Sequence, residues 1–158
     1  MVENTRTVNL ARATVNCSCH VCAFFHSRDE EYRVLMPFIT EGFDHGDRAF
    51  HIVDPDHRSD HMARLREGGI DTKPAEARGQ LTVLRWEDAY LRNGHFDQNA
   101  MLALIEEVLT AGKTQGFPLT RLVANMEWAL EDRPGVEDIV EYETRLNYVL
   151  PKYDDAVT

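Results

Sequence analysis

Apolar positions along the chain keep two rhythms, short continuous runs and longer stretches at helical spacing. The run "CHVCAFF" (19–25) is short, apolar and followed by a turn, which predicts a buried strand. In "SRDEEYRVLMPFITEGFDHG" (27–46), Tyr32, Leu35, Met36, Ile39 and Phe43 recur at helical spacing. Ser27 and Glu30 have capping-box spacing and Gly46 fits a C-terminal cap. Pro37 predicts a kink in this helix, because proline removes one backbone hydrogen bond and crowds the preceding turn.

The same alternation continues. "RAFHIV" (48–53) predicts a second strand, followed by a helix with Asp54 as N-cap, Pro55 at its first position and Gly68 after its last turn. "QLTVL" (80–84) predicts a third strand, and "RWEDAYLRNGHF" (85–96) reads as irregular or briefly helical. A helix bounded by Asp97 and Gly112 follows, then a fourth strand, "TRLVANMEW" (120–128), then a helix from Gly135 to a stop at Pro151. Four strand–helix units with long crossovers predict an α/β fold, an open, mostly parallel sheet with flanking helices in one domain. The expected domain spans 13–151, with tails at 1–12 and 152–158.

At 158 residues the chain is long enough for one sizeable core, and its 43% hydrophobic and 28% charged residues are ordinary for a soluble domain. No apolar run approaches the roughly 20 residues that cross a bilayer. The first residues lack the basic start and apolar stretch of a secretory signal, which predicts a cytoplasmic location. A formal charge of -10 opposes phosphate backbones and anionic lipid surfaces, so neither direct nucleic-acid binding nor membrane association is expected.

Several short motifs fail on context. "AGKTQG" (111–116) ends like a phosphate-binding loop, but Glu107 stands where the earlier glycine belongs, and the tripeptide reads as a helix C-cap. The first strand is followed by "HSRDEEY", acidic and without glycine, so no ATP is expected as cofactor and no ATP hydrolysis as activity. His57 and His61 lie four apart on one helical face without a third ligand, and read as exposed residues.

Polar residues on expected interior faces are more informative. On a helical wheel Val136, Ile139, Val140, Leu146 and Leu150 define the apolar face of the last helix, with Glu143 and Asn147 in its middle. In the fourth strand the alternation puts Arg121, Val123, Asn125 and Glu127 on one face, with Trp128 on the other. A buried carboxylate needs a partner, so these residues form either a structural network, with Arg121 pairing Glu143 or Glu127, or a ligand site. At the other end of the chain "CSCHVC" holds all three cysteines. In an extended chain Cys17 and Cys19 face one way, while His20, Cys22 and Phe24 face the other. A metal on Cys17, Cys19, His20 and Cys22 together would require the segment to leave the strand conformation.

The order of "HVCAFF", "LMPFITEGFDHGDRAFHIV" with Pro37, Gly42 and Gly46, "HFDQNAML", and "MEWAL…YETRLN" with Glu127, Trp128, Glu143 and Asn147 resembles the MEDS domain, the methanogen/methylotroph, DcmR sensory domain. That family is related to RecA/KaiC-like ATPases and lacks their phosphate-binding loop. The resemblance covers roughly 18–150 and implies a three-layer RecA-like fold. It also implies a sensory role, binding a small molecule, with apolar and one-carbon compounds as candidates, and signalling to a regulator. Here Phe25 stands where the family often has tyrosine.

The expected function is thus a stand-alone cytoplasmic ligand-binding regulatory domain. Its expected partners are a small molecule, a separate regulatory protein of anti-sigma, kinase or transcription-factor type, and a second copy of the chain. Its expected pocket lies between sheet and last helix, lined by His20, Cys22, Phe24, Arg121, Glu127, Trp128, Glu143 and Asn147. Ordering of the 86–96 region is the expected moving part. The alternative is a metal-dependent enzyme or redox protein using His20 with Glu127 and Glu143, or the Cys17–Cys22 cluster.

Overall fold

The computed structural model describes residues 7–16, 19–153 and 156–157. An antiparallel hairpin, β1 (Thr7–Leu10) and β2 (Ala13–Asn16), comes first, with β1 inside the segment expected to be a tail and β2 just beyond it. Its two turn residues, Ala11 and Arg12, both have positive φ, as a two-residue hairpin turn of matching twist demands. Val8 is buried, and the Asn9 side chain donates to Glu41 on the first helix.

All six residues of β3 (Arg48–Val53) are buried, as befits a strand flanked on both edges and covered on both faces. β4 (Leu81–Arg85) and β5 (Thr120–Ala124) pair with it in parallel, and a two-residue β6 (Ala156–Val157) extends the sheet beyond β5 in the order β4-β3-β5-β6. The strand expected at 19–25 does not form. Both edges of β3 are taken, and β6 pairs with β5 at Thr120 and Arg121, so the run has no place in the middle of the sheet. It crosses the surface without regular structure, with Phe24 95% exposed.

Helices α1 (Arg28–Asp44), α2 (Arg58–Glu67) and α3 (Thr72–Ala77) cover one sheet face; α4 (Gln98–Thr114) and α5 (Ile139–Val149) cover the other. Each face has its own core. Phe38, Ile39, Met62 and Leu65 meet Ala49, Val53 and Val83 on the first. On the second, Phe50, Ile52 and Leu122 meet Met101, Ile105, Leu109, Tyr142 and Leu146. Burial of each such side chain contributes about 1.5–3 kcal/mol.

The predicted caps explain the helix starts. Ser27 Oγ accepts from Glu30 N at 3.2 Å, Asp97 accepts from Asn99 N and Ala100 N, and Asp54 accepts from Asp56 N at 2.9 Å, capping a short 3-10 turn (Pro55–His57) that leads into α2. α1 ends with Gly46 at φ 77 and runs through Pro37. Gly112, by contrast, is not a cap. α4 continues to Thr114, and Gly116, at φ 83, serves the terminus. Gly112 is instead buried within the helix, where a Cβ would collide with Thr120 Oγ1. Residues 86–96, expected to be a movable segment, fold into two short turns that bury Trp86, Ala89, Tyr90, Leu91 and Phe96. Among the described residues no helix is long and apolar enough to cross a membrane.

Candidate functional site

α5 buries Tyr142, Leu146 and Val149, a face turned by about one position from the apolar wheel, and Val140 is 73% exposed. The aromatic core decides the rotation. Tyr142 packs edge-on against Phe96 at 5.4 Å and Tyr90 at 6.1 Å, burying more apolar area than valine could. Glu143 is thereby carried to the edge of the buried face rather than its middle, and Asn147 is exposed.

That edge meets the irregular segment after the hairpin. His20 Nε2 lies 3.0 Å from Glu143 Oε2, and the Cys22 thiol reaches the same oxygen at 3.6 Å. Cys22 Sγ and His20 Nε2 are 3.9 Å apart. The Glu143 hydrogen bond raises the His20 pKa against the opposing effect of burial, with further help from the Glu143 charge and a hydrogen bond to Asn147. Partial burial and then the Glu143 charge raise the Cys22 thiol. Residues 121 apart in sequence thus form one half-exposed cluster of imidazole, thiol, carboxylate and amide.

The remaining expected site residues lie elsewhere. β5 ends at Ala124, so its alternation does not extend to Glu127, which begins a short turn (Glu127–Leu130). Glu127 Oε2 accepts from Arg28 at 3.4 Å, and the same guanidinium lies 3.6 Å from Asp54 and 2.6 Å from His57 Nδ1. Trp128 is fully buried among Tyr90 and Phe96, at 5.1 and 5.2 Å, filling the space expected to be a pocket. Phe24 points to solvent. Cys19 packs against the α1-side core, opposite to Cys22, and burial raises its thiol pKa. Cys17 lies outside the described residues.

Arg121 reaches neither Glu127 nor Glu143. It is buried on the α1 side, donating to Asp47 at 2.8 Å, Glu41 at 3.0 Å and the Phe38 carbonyl at 2.7 Å, with its guanidinium over the Phe38 ring. Burial pushes Glu41 up, but hydrogen bonds from Arg121 and Asn9 outweigh it and lower its pKa. Gly42 makes this possible, since a Cβ there would sit 2.8 Å from Arg121 Cδ.

One polar chain escaped the sequence reading. His61, read as exposed, is buried. Its Nε2 is 2.9 Å from His51 Nδ1 and its Nδ1 is 2.6 Å from the Tyr32 hydroxyl. Burial holds both imidazoles below their ordinary pKa, that of His61 at about 4. The available signal was His51 in a strand apolar on both sides of it. A cavity of about 10 Å³, roughly the room for one water, lies beside His51 and Arg121. An open depression on α4, lined by Glu106, Thr110 and Tyr153 among others, includes none of the expected site residues.

Comparison with known proteins places residues 19–158 in register with the profile of MEDS, the MEthanogen/methylotroph, DcmR Sensory domain. The chain is also 28% identical over 149 residues to the transcriptional repressor DcmR of Methylorubrum extorquens. The aligned part is 94% of this chain and 53% of that protein, so the chain spans about half the length of this curated relative. No solved structure matches significantly.

Proposed function

The chain belongs to the MEDS family, and we propose that it is a small-molecule sensing domain whose ligand contacts His20, Cys22, Glu143 and Asn147, and whose bound state is read by a regulatory partner. The observation that carries this reading is the convergence of His20 and Cys22 with Glu143 across the chain. Its relative DcmR is a transcriptional repressor, which supports a regulatory output.

The chemistry fits reception rather than nucleotide turnover. The cluster offers donors, an acceptor and a soft sulfur at a half-exposed position, while the loop after residue 25 has no glycine to approach a phosphate. A ligand acts as a signal only if it prefers one conformation. The segment 19–27 is irregular, exposes Val21 and Phe24, and is tied to α5 through His20 and Cys22. Ligand binding at its base would reposition those apolar side chains, whereas residues 86–96 could respond only by repacking the core.

Thermal unfolding with a panel of methanol, methylamine, formaldehyde and halogenated methanes tests the reading. At least one compound is expected to raise the Tm of the wild-type chain and to lose that effect in Glu143→Gln. A panel without effect, or an effect untouched by Glu143→Gln and Asn147→Ala, would overturn it.

A further inference from the structure

Two donors converge on one carboxylate oxygen, His20 Nε2 at 3.0 Å and Cys22 Sγ at 3.6 Å from Glu143 Oε2, with nitrogen and sulfur 3.9 Å apart. As a proton-held network the arrangement places both hydrogens on the two lone pairs of one carboxylate oxygen. As a ligand set it is ordinary. A tetrahedral zinc-type ion with bonds of about 2.0–2.3 Å holds its nitrogen, oxygen and sulfur ligands about 3.4–3.6 Å from one another. The three separations depart from that span by about 0.4 Å or less.

The geometry points to a mononuclear site for a zinc-type divalent transition metal on His20, Cys22 and Glu143, with the fourth position open to a donor atom of the sensed molecule. Assignment of the fourth position rests on the sensing reading above; assignment of the metal does not. On binding, Cys22 gives up its S–H proton to solvent and binds as thiolate, His20 binds through a ring nitrogen of its neutral imidazole, and the metal lies beside the carboxylate. Imidazole, thiolate and carboxylate together suit zinc, iron or cobalt better than calcium or magnesium.

The surroundings agree. Cys22 is exposed, which gives an ion a way in, and among the described residues the ligands number three, which leaves the open position typical of reactive rather than structural zinc sites. Asn147 Nδ2 donates to the Glu143 backbone carbonyl at 3.0 Å, which places its amide beside the ligand cluster as an outer contact. Cys19 packs toward the opposite side and is not a ligand.

Cobalt(II) titration of the whole, chelator-treated chain tests the assignment. One equivalent is expected to give a thiolate-to-cobalt charge-transfer band in the near ultraviolet together with tetrahedral ligand-field bands. Cys22→Ser should abolish the charge-transfer band with unchanged far-ultraviolet circular dichroism, while Cys19→Ser keeps it. Asn147→Ala should weaken cobalt binding about 10-fold. No band in the wild type, or a band that survives Cys22→Ser, overturns the metal site. The two readings separate in one further comparison. A Tm response to the one-carbon panel that is unchanged in the chelator-treated chain removes the metal from sensing. A cobalt site on these residues with no response to the panel keeps the metal and removes the sensing reading.

Discussion

His51 Nδ1 lies 2.9 Å from His61 Nε2, two imidazoles meeting inside the protein with Tyr32 beyond them. Among the described residues none pairs with His51 Nε2. Two adjacent buried imidazoles cannot both charge cheaply, since burial and mutual repulsion favour the neutral forms.

Acid destabilisation follows from this pair. The unfolded chain binds protons at these histidines near pH 6.5, while the folded chain resists until about 4 at His61. The unfolded state therefore binds more protons in that window, and stability present above pH 6.5 is lost as pH falls toward 4. The expected loss is on the order of 3 kcal/mol for His61 alone. Urea unfolding across this range measures it, and His61→Gln should flatten the slope. Proton NMR should find the ring signals of both histidines unchanged down to pH 5.

Breaking the Arg121 network should cost stability without touching ligand or metal binding. Arg121→Met leaves Asp47 and Glu41 facing a side chain that cannot pair with them, and removal of one partner from a buried ion pair costs about 3–5 kcal/mol. Denaturant unfolding measures the loss. Cobalt affinity equal to wild type would show that Arg121 is structural, whereas a matching loss of affinity would return it to the site.

Gly42→Ala should destabilise the chain by about 1–3 kcal/mol through overpacking. The added methyl meets Arg121 Cδ and Nε at 2.8 and 2.9 Å, and that side chain is held in place by Asp47. Pairing Gly42→Ala with Arg121→Met should give a combined cost smaller than the sum, measured by a double-mutant cycle.

Alkylation should separate the cysteines. Cys22 is exposed and Cys19 is packed against the core, so iodoacetamide should modify Cys22 first. Because burial and the Glu143 charge raise its pKa, modification should be slow at neutral pH and speed up as pH rises, and Glu143→Gln should accelerate it. Peptide mapping by mass spectrometry reads both rates.

Local signals made much of the architecture legible. Ser27, Asp54 and Asp97 mark helix starts because a cap is a contact within three residues. The run Arg48–Val53 shows as a central strand because two-sided burial demands an almost continuous apolar sequence. His20, Cys22, Glu143 and Asn147 were also recognisable as chemistry-bearing residues, since soft, acidic and amide groups beside apolar runs need partners wherever they fold.

The sequence by itself determined the alternation of strands and helices, the two-sided core and the residues able to carry chemistry, because each depends on spacing and side-chain type. Only the tertiary structure decided which of those residues meet. Residues 19–25 found no place in the middle of the sheet, where β4 and β5 flank β3, and no local pattern records which edges are occupied. Tyr142 turned α5 because its ring found Phe96 and Tyr90, and that rotation brought Glu143 to His20 and Cys22. Arg121 is held away from Glu127 and Glu143 because Asp47 and Glu41 take its guanidinium on the α1 side. Each of these outcomes is a competition between distant groups for the same buried space, which a one-dimensional pattern does not contain.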